Sequence, residues 1–504
     1  EPVEKSWSGN FFLEVRVKPG RIRGMGKFRR QDQQIQQGEL WVPTAKLTRG
    51  PKDHFYARLQ KVLEGMDFTG QIHRICEPYY KAGGRRTGRP PIDPAVFFKM
   101  MMVGFLEGLP SDRGIAARFS DSLTLRRFLG YSLTEETPDH SSFTVFRQRL
   151  PQEAFTAAHE VVLDGLRAHG LLKGRHLGID SSDMEANASL SGLVRRNTAE
   201  SYRDYVRELA RAAGVDPDDP AAVARFDRRR EGRKTSNAEW YNPSDPDAKV
   251  GRTKHGACDM LHKPEHIVDL DSGAIVAAEV RPGDAGDSED LSSRVIEAAE
   301  LVEDLHGQPS QEGRSHVKSV TTDKGFHDPA ELAIIQHELG VRTIIGDAHA
   351  LRRNLDRLAP EARAAVVKAA RAVASRSGKA LLKKRGEKIE RSFAHVLDSG
   401  SQRRTTLRGL DNINKRYLCA IIGFNLGLIL RKLTGVGTPR QAAAAKAAAL
   451  AVIRWLRECL DGYFRPAASP HRSWQENPVP APPHTWHFPI FTPAGGNAAF
   501  STGS

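Results

Sequence analysis

The stretch "PEHIVDLDSGAIVAAEV", Pro264–Val280, decides which fold the sequence predicts. It contains two runs of small and apolar residues on either side of Asp271-Ser272-Gly273. Gly, Asp and Ser are favoured in tight turns, and the Ile and Val residues around them favour strands. The stretch therefore predicts two antiparallel strands joined by a hairpin turn.

Shorter strand patterns lie on both sides of this hairpin. Before it, "RHLGID" (175–180) is a largely apolar run that ends in an acid, and after it "HVKSVTTD" (316–323) ends in the same way. A third run, "VRTIIGD" (341–347), follows a helical segment that Asp328 and Pro329 are expected to start. Strands mixed with helices in this order predict a mixed α/β sheet covered by helices.

The rest of the chain divides by composition into further regions. Residues 1–88 are basic and irregular and are expected to end in a linker rich in Gly, Arg and Pro. Residues 89–170 are predicted to form an all-helical domain, and residues 171–435 to hold the mixed sheet. A polar segment, 190–250, is predicted to be a helical insert in the sheet domain. Residues 436–504 are predicted to form a C-terminal helix and a Pro-rich tail.

Four arginines lie in the predicted helical domain: Arg126, Arg127, Arg147 and Arg149. Short helices joined by tight turns, with arginines among them, can form a helix-turn-helix reader of DNA. A plain helical bundle with solvated arginines explains the same sequence equally well. Both interpretations stay open at the level of the sequence.

The chain of 504 residues has a net charge of +14 and a pI of about 9.6. Such a surplus favours a polyanionic partner, most often DNA or RNA, although a basic surface kept for solubility gives the same charge. The four cysteines lie far apart and form no CxxC pair, which indicates reduced thiols in a cytoplasmic protein. The apolar runs are shorter than a bilayer requires, so no membrane span is expected.

One cysteine and two histidines, Cys258, His262 and His266, have a spacing that resembles C-x3-H-x3-H. Pro264 lies between the histidines and is incompatible with the helix that this spacing needs. We therefore expect no metal site at these three residues.

Three acids stand out by their positions. Asp180 and Asp323 each end a predicted strand, and α/β proteins usually place their sites at such strand ends. Glu390 lies at the border of the apolar face of a predicted helix and can point onto the strand ends. Converging carboxylates repel one another, and Mg²⁺ offsets that cost while preferring carboxylate and phosphate ligands. Taken singly, each acid is better explained as a cap or a salt-bridge partner than as a catalytic group, and it is their joint placement with a basic tract that favours catalysis.

Four separated motifs in this chain resemble, in the same order, motifs of bacterial insertion-sequence transposases of the broad IS4/IS5/IS1182 group. "GRPPIDPAVFFKMMMVGFLEGL" (88–109) is similar to their N-terminal helical region. "GIDSSDMEANAS" (178–189) and "TTDKGFHDP" (321–329) are similar to the stretches around their first two catalytic aspartates. The stretch that begins "RGEKIERSFAHVLDSGSQRRTTLRG" (385–409) resembles their C-terminal signature.

The resemblance implies a ribonuclease-H-like catalytic core whose DDE triad is Asp180, Asp323 and Glu390, with Glu387 as the rival for the third position. These acids are expected to bind two Mg²⁺ or Mn²⁺ ions. The helical domain 89–170 is expected to bind DNA. The basic residues near the acids are expected to contact DNA phosphates: Lys324, Arg391, Arg403, Arg404 and Arg408.

The sequence departs from this group at one position. Many relatives carry Lys or Arg one or two turns after the catalytic Glu, whereas this chain has Leu397 seven residues after Glu390. Two expectations stay open: either Arg391, Arg403 or Arg404 makes the contact of that basic residue, or this protein lacks the contact.

The function that the resemblance implies is that of a DNA transposase, an enzyme that binds the terminal inverted repeats of an insertion sequence. It cleaves phosphodiester bonds at the ends and joins the 3′-hydroxyls to target DNA. The expected partner is double-stranded DNA in the bacterial cytoplasm, at the nucleoid. A homodimer is expected at least on DNA, because ends are cut and joined in pairs. Two alternatives stay open: a domesticated DNA-binding protein without transposition, and a ribonuclease-H-like nuclease that does not join strands.

Overall fold

The computed structural model describes residues 51–81, 91–231, 236–253, 256–307 and 315–463. Contacts divide the chain into two compact units, Glu1–Ala447 and Ala448–Ser504. Within the described residues, every strand belongs to the larger unit.

Residues 51–81 differ from the predicted irregular region 1–88, because they form two helices, α1 (Pro51–Gly65) and α2 (Phe68–Lys81). Their buried side chains recur about every four residues, the spacing of one helix face: Phe55, Leu59, Leu63, Phe68, Ile72, Cys76 and Tyr80. The basic and polar residues between them obscured this pattern. Residues 1–50 and 82–88 lie outside the described residues.

The predicted helices of region 89–170 are present: α3 (Pro94–Glu107), α4 (Asp112–Ser120), α5 (Leu123–Leu129), α6 (His140–Arg149) and α7 (Gln152–Ala168). Helix α3 starts as expected, since the Asp93 carboxylate accepts the Ala95 N–H at 2.8 Å and Pro94 follows the cap. It is buried on all sides from Pro94 to Leu106. Arg147 is only 1% exposed, so this arginine is not solvated as the interpretation of a plain helical bundle expected.

The predicted mixed α/β sheet is confirmed as a seven-stranded sheet among the described residues. The strands of this sheet are β1 (His176–Ser181), β2 (Met184–Glu185), β5 (Lys249–Arg252), β6 (Cys258–Asp269), β7 (Ile275–Pro282), β8 (Ser319–Thr321) and β9 (Arg342–Ile344). Strand β6 pairs with β1 and β7 in antiparallel fashion, whereas β1, β8 and β9 are parallel neighbours. The short strands β2 and β5 pair in antiparallel fashion with the first half of β6.

The predicted hairpin is confirmed as the pair β6–β7. Its turn is fixed by the Asp269 carboxylate, which accepts the Asp271 N–H and the Ser272 hydroxyl. Gly273 has a φ of 85°, a conformation that favours glycine. The hairpin therefore owes its geometry to the residue types of the turn.

Five helices cover the sheet or extend its core: α10 (Leu291–His306), α11 (Pro329–Glu338), α12 (Pro360–Ala374), α13 (Arg376–Phe393) and α14 (Leu410–Thr434). Helix α14 packs against α3, α7 and β7 and is buried from Ile413 to Leu430 apart from Leu428. Its Asn425 side chain accepts the Ile275 N–H at 3.1 Å and donates to the Ile275 carbonyl at 2.8 Å. Asn414 bonds both backbone groups of Val280 in the same way. Two amide side chains thus pair with β7 where a further strand would lie.

The insert contains the two predicted helices, α8 (Tyr202–Ala212) and α9 (Pro220–Arg229). It also contains a small sheet that was not predicted, formed by β3 (Val194–Arg195) and β4 (Trp240–Tyr241). Trp240 is 3% exposed and packs in a cluster that joins insert residues to Ala186 and to Met260 of β6. A second small cluster, formed by Val206, Ala210 and Val223, lies within the insert itself.

The last described helix is α15 (Pro439–Tyr463), which agrees with the predicted C-terminal helix. By length and composition alone, residues 410–458 contain a window apolar enough to cross a membrane. However, 61% of that window is buried inside the protein, which is typical of a core helix and makes this weak evidence for a span. The predicted Pro-rich tail lies outside the described residues.

Candidate active site

Asp180 and Asp323 lie at neighbouring strand ends. Strands β1 and β8 are parallel, and their register pairs Gly178 with Thr321. Asp180 lies two residues beyond Gly178, and Asp323 lies two residues beyond Thr321, just after β8. The fold therefore sets these two predicted acids at the ends of adjacent parallel strands, with Asp180 on the face that α13 covers.

Asp180 carries a counter-charge from helix α13. Arg385 donates to its carboxylate at 2.7 Å and to the Ile179 carbonyl at 3.4 Å. The Asp180 side chain is 26% exposed, so the pair is open to solvent on one side. This partner was not predicted, because Arg385 lies 205 residues away in the sequence.

Asp323 caps a short 3-10 turn, Lys324–Phe326, that follows β8. One carboxylate oxygen accepts the Gly325 N–H at 2.9 Å, and the residue is exposed. The structural role that the sequence left open for this acid is thus present. This cap uses only Oδ1 of Asp323, and the Oδ2 atom stays at the end of β8.

Helix α13 places Glu390 on the flank that faces β8. Ile389 faces β1, since a Cβ built on Gly178 would lie 3.1 Å from its side chain. Ser392 faces β6, where its hydroxyl lies 2.8 Å from His266 Nδ1. Glu390 lies two residues before Ser392, hence on the opposite side of the helix. It is exposed, and its carboxylate makes no hydrogen bond or ion pair with the residues that the structure describes.

Glu387, the rival for the third position, lies on the outer surface of α13. Its carboxylate pairs with Arg391 at 3.0 Å, and both side chains are more than half exposed. Because the pair is at i and i+4 on the solvent side, it is an ordinary helix-stabilising contact. Glu387 lies about 60° around the helix from Glu390 and points farther from the sheet.

A buried network fixes the other flank of α13. The His266 ring is stacked on Phe393, and its Nε2 lies 2.6 Å from the Tyr417 hydroxyl. Burial lowers the pKa of His266 to about 3 and raises the pKa of Tyr417. His266 is therefore neutral and structural. His262 is buried beside Asp245, and Cys258 is exposed at the start of the same strand.

Asp287 is an acid of this region that sequence reasoning missed. It accepts the Ser181 hydroxyl at 2.8 Å and pairs with Lys263 at 2.6 Å. A Cβ built on Gly325 would lie 2.9 Å from Asp287 and 3.2 Å from Asp323, so the two carboxylates flank one glycine. Asp287 therefore touches the residue after Asp180 and the turn after Asp323. No signal in the loop "PGDAGDSED" distinguished it from its acidic neighbours.

The basic residues predicted to contact DNA take different positions. Lys324, Arg391, Arg404 and Arg408 are exposed. Arg403 instead bonds the Asp183 carbonyl at 3.1 Å and the Ser182 hydroxyl at 3.2 Å. It therefore holds its loop against the end of β1.

Leu397, the position where the transposase resemblance leads one to expect a basic residue, is fully buried, so a charged side chain is strongly disfavoured there. It lies in a π-helical turn, Ala394–Ser399, that continues α13. Of the three arginines named as substitutes, Arg403 reaches the end of β1, whereas Arg391 pairs with Glu387 on the outer surface. Arg404 joins the edge of β2 through its backbone.

The donor chemistry of the three predicted acids suits a hard divalent cation, since all are carboxylates and Mg²⁺ prefers such ligands. Within the described residues, however, no group of three or more His, Cys, Asp and Glu side chains converges closely enough to hold a metal ion. The Arg385 guanidinium meets the Asp180 carboxylate instead and supplies the positive charge. The acids therefore share one region without forming a closed ligand cage.

Residues 47–149 match the family described as "Transposase domain (DUF772)", about a fifth of the chain. This match confirms the resemblance to transposases. It begins at residue 47, whereas the first of the four motifs begins at residue 88. No curated protein matches the chain. Among solved structures, "Mos1 transposase paired-end complex with left transposon end" is similar with 12% identity over 65% of this chain and 85% of that chain. Its TM-score is 0.18, too low to support an argument about the fold.

Proposed function

We propose that the protein is a metal-dependent DNA transposase of the DDE type, built on a ribonuclease-H-like sheet. The observation that carries this proposal is the parallel pairing of β1 and β8, since Asp180 and Asp323 each lie two residues beyond the last paired positions of these adjacent strands. The position of Glu390 on the flank of α13 that faces β8 supports it as the third acid. The transposase-domain match supports the same function from a separate part of the chain.

In this proposal Asp180, Asp323 and Glu390 would hold Mg²⁺ or Mn²⁺, with two ions expected, and the metal would supply activation of a water or 3′-hydroxyl and a counter-charge for the leaving oxygen. Arg385 pairs with Asp180 at 2.7 Å and holds a guanidinium at the site that can pair with a DNA phosphate. Asp287 orients Ser181 beside Asp180 and keeps the turn after Asp323 in place.

The proposed partner is DNA, because exposed basic residues lie on the segments around the candidate acids. The exposed basic residues Lys324, Arg391, Arg404 and Arg408 contact phosphates, which gives affinity and register without sequence reading. Arg403 positions the loop from its bonds at the end of β1. The substrate is the pair of terminal inverted repeats, so a homodimer assembles on DNA, and the protein acts on the bacterial nucleoid in the cytoplasm.

The proposal is tested by strand cleavage and strand transfer with Mg²⁺, the element's own ends and a supercoiled target. Asp180→Ala and Asp323→Ala are expected to lose cleavage by at least about a thousandfold. Asp328→Ala is the matched control, because it removes an aspartate that caps α11 near the same site. Full activity in either catalytic variant contradicts the assignment. If the protein cleaves the DNA ends but forms no strand-transfer product with the target, its function is that of a nuclease.

A further inference from the structure

A pocket lies where the helical region meets the segment after α13. It has a volume of about 340 Å³. Its walls come from α6, from one residue shortly after β2, from the loop before α14 and from the first turn of α14. The lining residues are Thr144, Arg147, Asn187, Thr406, Leu407, Arg408 and Asn412, and none of these seven is acidic.

We infer that this pocket binds a phosphate group of the DNA backbone. The inference rests on the proposed function for its DNA partner, but the pocket is separate from the acids at the strand ends. Two arginines line it, and hydroxyl and amide groups complete its polar surface. A tetrahedral anion with several acceptor oxygens matches this set of donors.

Arg147 supplies a positive charge in the wall of the pocket. Its side chain is 1% exposed, and its Nη2 donates to Asp112 at 2.5 Å. Its Nε and Nη1 are buried and have no hydrogen-bond partner in the described parts of the chain. Because these two nitrogens have almost no accessible surface, Arg147 attracts an anion in the pocket through its charge and not through a direct hydrogen bond.

The charges around Arg147 leave a surplus of positive charge. Asp112 is shared between Arg147 and Arg416. Lys415 pairs with Asp411 at 2.6 Å and donates to the Arg147 carbonyl at 2.9 Å. Three buried cationic side chains thus share two carboxylates. A further anion is the natural counter-charge, and a partly desolvated site makes its attraction stronger than in water.

The remaining wall is held in a fixed shape. The Asn187 side chain donates to the Thr406 carbonyl at 2.9 Å, and Arg408 Nε donates to the Asn187 carbonyl at 3.2 Å. Asn412 Nδ2 donates to the Arg408 carbonyl at 3.3 Å. Because these bonds do not use the terminal nitrogens of Arg408, its guanidinium keeps donors for a ligand. A site built in advance loses less entropy when it binds.

The backbone of DNA is the expected source of the phosphate. Thr144, Thr406 and Arg408 are exposed, so the pocket opens at the surface where a polymer can pass. Arg408 belongs to the basic tract that follows the candidate catalytic helix. A free phosphate ion has the same chemistry, and the experiment below separates the two sources.

The first measurement is DNA affinity as a function of salt, by fluorescence anisotropy with a labelled duplex. Thr144→Glu places a carboxylate at the mouth of the pocket and is expected to weaken binding about tenfold, because it repels the phosphate. Thr144→Gln introduces a side chain of the same size as glutamate but without its charge, and this variant is expected to bind DNA as the wild type does. Arg408→Gln is expected to lower the salt slope by about one counterion. Arg371→Gln, an exposed arginine on α12, is the charge control.

The second measurement is thermal unfolding with and without inorganic phosphate, which needs no DNA. Phosphate is expected to raise the melting temperature of the wild type and not that of Thr144→Glu. A phosphate shift without any difference in DNA affinity overturns the DNA assignment, because the pocket then holds a free ion. No shift and equal affinities for Thr144→Glu and Thr144→Gln overturn the pocket itself. If the affinities differ as expected but the wild type cleaves no DNA, the pocket stands and the catalytic proposal fails.

Discussion

Ser392 and Glu390 lie two residues apart on α13, yet their surroundings are opposite. The flank with Ser392 is buried, neutral and fully bonded through His266 and Tyr417. The flank with Glu390 is exposed, charged and without a protein partner among the described residues. One flank fixes the helix on the sheet, so the other can hold an unpaired acid at a defined place. Stability and function are thus expected to separate across a single helix.

The largest effect is expected on the exposed flank. Glu390→Gln removes the charge and keeps the shape, so cleavage is expected to fall by at least about a thousandfold. The free energy of unfolding is expected to stay the same, because the carboxylate has no protein partner to lose. Cleavage assays and urea unfolding of the same preparation check both halves. A Glu390→Gln enzyme with wild-type rate removes this residue from the site.

The buried flank is expected to show the reverse. His266→Ala leaves the Ser392 and Tyr417 hydroxyls without their partner and opens a cavity beside Phe393. It is expected to cost about 2–4 kcal/mol in the free energy of unfolding. Urea unfolding measures this loss. If the folded fraction of the variant retains normal cleavage per molecule, the separation between the flanks holds; a loss of rate without a loss of stability contradicts it.

Acid is expected to weaken the buried side of the molecule. Burial lowers the pKa of His266 to about 3 and that of His159, which contacts Asn425, to about 4. Below the ordinary histidine pKa, the unfolded chain takes up protons that the folded chain does not. Stability is therefore complete above about pH 6.5 and falls as the pH drops toward 4, by about 1.4 kcal/mol per pH unit for each histidine. Denaturant unfolding across this range measures the slope, and a His266→Gln variant with an unchanged slope contradicts the cause.

Asp287 is expected to have an intermediate effect, because it acts on the site through Ser181 and the turn at Gly325. Asp287→Asn loses the pair with Lys263 and is expected to lower the cleavage rate about tenfold. The dependence of the rate on Mg²⁺ concentration is expected to stay the same if Asp287 positions residues and does not bind metal. Asp284→Asn in the same loop is the matched control, since Asp284 is exposed. A changed Mg²⁺ dependence would make Asp287 a ligand.

The smallest effect is expected for Glu387→Gln, the matched partner of Glu390→Gln. It breaks an exposed ion pair with Arg391, which contributes only about 0.3–0.5 kcal/mol to stability. Cleavage is expected to change less than about twofold. Parallel rate measurements on the two glutamine variants decide which glutamate is the third acid. A larger loss for Glu387→Gln than for Glu390→Gln reverses the assignment.

The sequence allowed the sheet to be predicted because its strands are short apolar runs bounded by turn residues. The hairpin at Gly273 and the strand that ends at Asp180 are examples. Helices α1 and α2 were missed because basic and polar residues separate their apolar positions. The partners of the acids could not be predicted, since Arg385 and Asp287 reach Asp180 and Ser181 only through the tertiary fold. The same holds for the burial of Arg147, which depends on Asp112 and α14.

The contact between α14 and β7 has a consequence for the order in which the chain is made. An amide side chain carries a donor and an acceptor side by side, so Asn414 and Asn425 stand in for the backbone of a missing strand. They lie 134 and 150 residues after the strand positions that they bond. A nascent chain therefore exposes the edge of β7 until α14 has been synthesised, and such an edge can pair with another chain. Until that helix docks, the growing polypeptide is most vulnerable to aggregation at the hairpin that organises its fold.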